Sequence, residues 1–130
     1  MPLIFDYEEI AGNVYPVIPI ELKANEKRFL TRAYVDSGAS FSIFNAEIAD
    51  YLGLDYRKGD KIYPAGVGGH ICAYINEIFI SIHDIEIRCK VLFSDEFTVK
   101  FNLLGRAGIF DGFVVCFDDS KKKLYLYEKV

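Results

Sequence analysis

An excess of basic residues, long apolar runs and paired cysteines are what this 130-residue sequence lacks. Lys plus Arg number 15 against 19 Asp plus Glu, a formal net charge of −4 at pH 7. Phosphate backbones are gripped by clustered cations, so this balance excludes nucleic acid as the main partner. The one basic cluster, Lys121-Lys122-Lys123, adjoins Asp118-Asp119-Ser120 and reads as a solvated hairpin turn. No stretch approaches the roughly 20 consecutive apolar residues that a membrane helix needs, so no membrane partner is expected. The opening Met1-Pro2-Leu3-Ile4-Phe5-Asp6 carries no basic segment followed by an apolar one, and a cytoplasmic location is the expectation.

Ligand-bearing residues are equally sparse. Cys72, Cys89 and Cys116 are odd in number, widely spaced and each set in an apolar segment. They are expected to be reduced and to serve as small hydrophobic fillers. His70 and His83 stand at no ligand-like spacing from each other or from a cysteine, so neither a metal nor any other cofactor is expected.

What is present is apolar and aromatic: 52% hydrophobic residues, with nine Tyr and eleven Phe. That composition and length predict one folded domain spanning residues 1–130, too small for two lobes. Short strand-like runs follow one another. Residues 14–22 are apolar and β-branched, with Pro16 and Pro19 marking an edge or irregular strand. Residues 27–35 predict a strand with Phe29, Thr31, Ala33 and Val35 on one face. Residues 76–93 alternate through Ile78, Ile80, Ile82, Ile85, Ile87 and Cys89, and His83-Asp84 turns a hairpin between the two arms. Residues 113–117 and 124–127 predict another hairpin. A single helix is expected over residues 46–52, capped by Asn45 and ended by Gly53, with a shorter turn after Gly105. The fold class is therefore all-β, a small closed or nearly closed barrel with one short helix.

Chemistry concentrates at Asp36-Ser37-Gly38-Ala39, directly after the hydrophobic run ending in Val35. A carboxylate in a tight turn at the end of a buried strand is held rigidly. Ser37 supplies hydrogen bonds that brace a turn, Gly38 allows a backbone conformation and a close approach denied to larger residues, and Ala39 and Ser40 leave room for a substrate. Hydrolysis by carboxylates alone needs one to activate water and a second to protonate a carbonyl oxygen. Two such groups about 3 Å apart share one proton. Downstream lie Leu103-Leu104-Gly105-Arg106 and, between the two segments, the glycine-rich Gly66-Val67-Gly68-Gly69. The latter lacks the Lys-Ser/Thr of a phosphate-binding loop.

Together these segments resemble the retropepsins, the single-domain aspartic proteases of retroviruses and their cellular relatives. The family signature, Asp-Thr/Ser-Gly-Ala after a hydrophobic strand, is matched by Asp36 to Ala39. Two hydrophobic residues, Gly and Arg on a strand threading beside the catalytic loop are matched by Leu103 to Arg106. A mobile flap over the substrate corresponds to Gly66, Val67, Gly68 and Gly69. The resemblance covers about residues 14–117. It departs at Ala107, where the family usually carries Asp or Asn, and at Ser40, where an acidic residue is often found. The tail from Phe113 is longer than in viral enzymes, and its hairpin is a candidate replacement for their dimer-forming terminal strands.

The resemblance implies an aspartic endopeptidase acting on a peptide or protein substrate. With one Asp36 per chain, the dyad forms only in a homodimer, with Ser37 bonding across the two-fold axis. A non-catalytic binding or dimerisation module on the same fold is the alternative, since fold alone does not decide function. A β-barrel of different function whose turns imitate these motifs is a third reading.

Overall fold

A computed structural model of the chain describes residues 1–66, 69–98 and 101–129. Its strands are β1 (Leu3–Asp6), β2 (Glu8–Ile10), β3 (Asn13–Tyr15), β4 (Val17–Ala24), β5 (Lys27–Val35), β6 (Ser42–Asn45), β7 (Lys61–Ile62), β8 (Ala65–Gly66), β9 (Gly69–His70), β10 (Ala73–Ile82), β11 (Ile85–Ser94), β12 (Asn102–Leu104), β13 (Phe113–Asp118) and β14 (Lys123–Glu128). Among the described residues one α-helix, α1 (Ala46–Tyr51), follows β6. Asn45 caps it by accepting the Glu47 N–H on Oδ1 at 2.8 Å, and Gly53 leaves it at φ +73°.

Strand pairing closes a barrel. The order β11-β6-β12-β5-β4-β10 returns to β11 through the long β10–β11 hairpin, giving six strands, with β7 added outside β10. Two of these pairings are parallel. β6 runs parallel to β11 (Leu92 opposite Ile43), and β12 runs parallel to β5 (Leu104 opposite Val35). β12 thus enters from a distant part of the sequence and lies between β5 and β6. Asn102 secures it there, its Nδ2 donating to Thr31 Oγ1 and to Arg32 O, both at 3.0 Å.

The alternation in the sequence decides what fills the barrel. Ile18, Ile20 and Leu22 of β4, Ala33 and Val35 of β5, and Ile78, Ile80 and Ile82 of β10 all point into one core, joined by Phe44, Phe93 and Leu104. A second apolar cluster of Ile43, Ala73, Leu92 and Phe97 forms beside it on the opposite face of β6 and β11. It borders the cleft described below.

The prolines sit differently from the sequence expectation. Pro16 separates β3 from β4, but β4 is no edge strand, because β5 and β10 flank it. Pairing to β10 covers only Glu21 to Lys23. Pro19 lies beyond that span, so the donor it lacks interrupts no ladder. The cysteines also divide. Cys89 is buried and Cys72 half-buried, as fillers should be, whereas Cys116 is exposed on β13, since strand alternation there turns its side chain outward. All three are free thiols.

The termini form their own three-stranded sheet, ordered β1-β14-β13. The C-terminal hairpin forms as expected, turning through Lys122 at φ +55°. The N-terminal strand pairs with it, Phe5 opposite Leu124. Phe5, Phe113, Leu124 and Leu126 carry this sheet's inner face into the main core.

Candidate active site

The Asp36 turn is built by the parallel insertion of β12. Val35, 1% exposed, ends β5 in the core, and the chain then leaves the sheet. The Asp36 N–H continues the ladder, donating to Leu104 O at 2.9 Å. The turn closes on itself through Ala39 N–H to Asp36 O at 3.2 Å and Gly38 N–H to Asp36 Oδ1 at 2.8 Å. The second bond fixes the carboxylate as well as the backbone. From the other side, Arg106 N–H donates to Ala39 O at 2.8 Å and Ala107 N–H to Ser40 O at 2.9 Å. The two segments that resemble family signatures, 67 residues apart from Asp36 to Leu103 (103 − 36), are thus neighbours in space.

Two glycines are explained by this closeness. A Cβ on Gly105 would collide with the Phe41 carbonyl and stand 2.8 Å from Ala39 O, both backbone groups. Gly105 is buried at φ −104°, so the requirement is space rather than backbone conformation. At Gly38 a Cβ would stand 3.2 Å from Asp36 Oδ1. Gly38 has no positive φ, so close approach is its role and the conformational freedom expected from sequence is not used.

The brace also differs from expectation. Ser42 Oγ, fully buried, accepts the Gly105 N–H at 3.0 Å and links the turn to β12. Ser37 is exposed, and its hydroxyl bonds to none of the described residues. The signal for Ser42 lay in the sequence as a polar residue in register with buried Phe44 on a short strand.

Asp36 is half-buried in the single chain, while Ser37, Gly38 and Ser40 face solvent. Beside them opens a groove of about 600 Å³, bounded by Gly38, Ala39 and Ser40 on one side and by Pro64, Ala65 and Gly69 on another. The latter belong to the β8–β9 hairpin, in which Ala65 pairs with His70 and Gly66 with Gly69. Gly69 turns at φ +104°, a conformation open to glycine. Val67 and Gly68, the central residues of the expected flap, lie outside the described residues. Leu103 lines the groove floor, and Leu104 is fully buried behind the turn.

Arg106 is exposed, and no carboxylate among the described residues pairs with it. It opens a distorted helical turn, Arg106–Phe110, in which Gly108 sits at φ +82°. Cys89 packs beneath, its thiol donating to Ala107 O at 3.2 Å. Burial, with smaller contributions from Asp111 and Glu77, pushes the Cys89 thiol up to about 12, so it stays neutral. Among the described residues no cluster of His, Cys, Asp and Glu has the arrangement of a metal site.

Solved structures share this architecture. A retropepsin-like aspartic protease from Rickettsia conorii superposes with a TM-score of 0.63 at 21% identity, over 100% of this chain and 94% of that one. The fold is retropepsin-like. EIAV protease complexed with the inhibitor HBY-793 matches with a TM-score of 0.54 at 20% identity, over 76% of this chain and 88% of that one. No family model and no curated protein matches the sequence. At these identities the likeness fixes the retropepsin-like barrel and leaves the chemistry to the residues of the site.

Proposed function

We propose that the chain is one half of a homodimeric aspartic endopeptidase, with Asp36 as its catalytic residue and Asp36 of a second copy completing the dyad. The observation that carries this reading is the held carboxylate. Asp36 is fixed by the Gly38 N–H on its side chain and by Leu104 on its backbone, next to a groove bounded by Gly38 to Ser40 and by Ala65 and Gly69 of the β8–β9 hairpin. Gly38 and Ala39 support the turn, Ser37 would bond across the two-fold axis, Leu103 to Arg106 anchor the turn, and the hairpin that carries Gly66 and Gly69 would serve as the flap.

In the proposed reaction one Asp36 is ionised and takes a proton from water as its oxygen adds to the scissile carbonyl carbon. The protonated partner carboxyl donates its proton to the carbonyl oxygen, giving a neutral diol. Collapse of the diol breaks the C–N bond, with one proton delivered to the leaving nitrogen. Protons and charge balance within the dyad, and the apparent pKa values belong to the pair. An extended peptide would lie in the groove by strand-like pairing, with the hairpin excluding water above it.

The test is incubation of the purified chain with a varied peptide pool from acidic to neutral pH, beside Asp36→Asn. Cleavage by the wild type and none by a folded Asp36→Asn supports the endopeptidase. Identical peptide profiles from the two would overturn it. A non-catalytic module on this fold is favoured by one observation, the exposed Arg106 without a carboxylate partner among the described residues beside Ala107.

A further inference from the structure

The groove beside the Asp36 turn is apolar on most of its wall, through Phe41, Ile43, Ile62, Leu92, Phe97 and Leu103. Glu96 is the one ionisable side chain on that wall among the described residues. Its position is built. Ser94 is fully buried, and its hydroxyl donates to Cys72 O at 2.6 Å while accepting the Glu96 N–H at 3.1 Å. The Cys72 N–H in turn donates to Glu96 Oε1 at 3.1 Å. The loop after β11 and the chain entering β10 are thereby tied together, with the carboxylate held at their junction. Glu96 is exposed, with one oxygen engaged and the other open to a donor. No described Lys, Arg or His forms an ion pair with Glu96.

An apolar groove with a single exposed carboxylate beside it suits a side chain with an apolar stem and a cationic tip. Lysine and arginine have that form. A leucine would fill the channel and leave the carboxylate without a partner, and an acidic side chain would face like charge. From this geometry we infer that Glu96 is a specificity-determining residue, selecting peptides that place a lysine or arginine in the groove next to the scissile bond. The inference rests on the reading of the groove as a peptide-binding cleft.

Two measurements keep it separable from the protease reading. The first scans Lys, norleucine and Glu through each position flanking the cleaved bond and compares kcat/KM. Norleucine has the lysine stem without its charge. One position should favour Lys over norleucine by roughly tenfold or more, the scale of a charge-assisted hydrogen bond, with Glu the poorest. Glu96→Gln should collapse that ratio towards one, and Glu96→Lys should invert the order of Lys and Glu. The second measures binding of the same peptides to the chain carrying Asp36→Asn, by fluorescence anisotropy, with and without Glu96→Gln. A Lys preference in binding that Glu96→Gln removes, without cleavage by the wild type, supports Glu96 and sinks the protease. Cleavage with no Lys preference at any position, or a preference that Glu96→Gln leaves intact, overturns the Glu96 inference and leaves the protease standing. Neither cleavage nor binding refutes both.

Discussion

Gly105→Ala isolates the contact on which the Asp36 turn depends. At φ −104° an alanine backbone is unstrained, so the entire cost is steric. The added methyl would meet the Phe41 carbonyl and Ala39 O, and neither backbone group has a flexible end that can swing aside. Overpacking of this kind costs typically about 1–3 kcal/mol. Relief requires β12 and the turn to separate, which stretches Gly105 N–H to Ser42 Oγ, Arg106 N–H to Ala39 O and Ala107 N–H to Ser40 O. Losing two of these at about 1 kcal/mol each brings the total to about 3–5 kcal/mol. For a domain of this size that corresponds to a fall in Tm of about 11–18 °C. The assay is urea and thermal unfolding followed by circular dichroism, with Gly12→Ala as the control. Gly12 has φ +86° and nothing within 4 Å of the added methyl, so that variant should lose only about 1 kcal/mol, from backbone conformation. A Gly105→Ala protein within about 1 kcal/mol of wild type would refute the claim that β12 is packed against the turn without slack.

Dilution should weaken any peptidase activity more steeply than in proportion to protein, as dimer gives way to monomer, and sedimentation of a competent monomer would sink the shared dyad. Among the thiols, Cys116 should react with a disulfide reagent at once, while buried Cys89 should wait for unfolding; equal rates would contradict the exposure difference. Cys89 also predicts a pH dependence. Its value rises from an ordinary 9.0 to about 12 on folding, so between those limits the folded chain keeps a proton that the unfolded chain releases. The stability it contributes is complete below pH 9 and falls as pH rises, by up to about 1.4 kcal/mol per unit. Denaturation of Cys89→Ala should show a shallower alkaline slope than wild type, and parallel slopes would refute the assignment.

Local signals in the sequence carried the strands, the helix and the turn. Residues 27–35 alternate because one face of β5 meets the core, and Asn45 and Gly53 bracket α1 through backbone chemistry that any helix shares. What was not legible was long-range. Nothing around Leu3 to Asp6 states that this strand pairs with residues 123–126, because pairing partners leave no mark at short spacing. Pro19 read as an edge signal because proline cannot join a ladder, and only the register of β10 shows that the ladder ends before it. Within the site, Asp36 and Gly105 stood out by motif, whereas Ser42 and Glu96 did not. Their roles come from being opposite Gly105 and Cys72, which only the folded barrel brings about.

The turn's rigidity and its exposure argue for the same conclusion. Four backbone hydrogen bonds, a buried serine and two close-packed glycines hold Asp36, far more than reversing a chain requires. Such rigidity is useful where a carboxylate must meet a partner within a few tenths of an ångström. Yet Ser37, Gly38 and Ser40 around it face solvent, and bulk water there would weaken the charge coupling through which two carboxylates share a proton. On the proposed reading, a site so firmly built and so openly presented is one half of a pair. A second copy laid against the same face would supply the missing carboxylate, the cover over both, and an acceptor for the Ser37 hydroxyl, in one isologous contact.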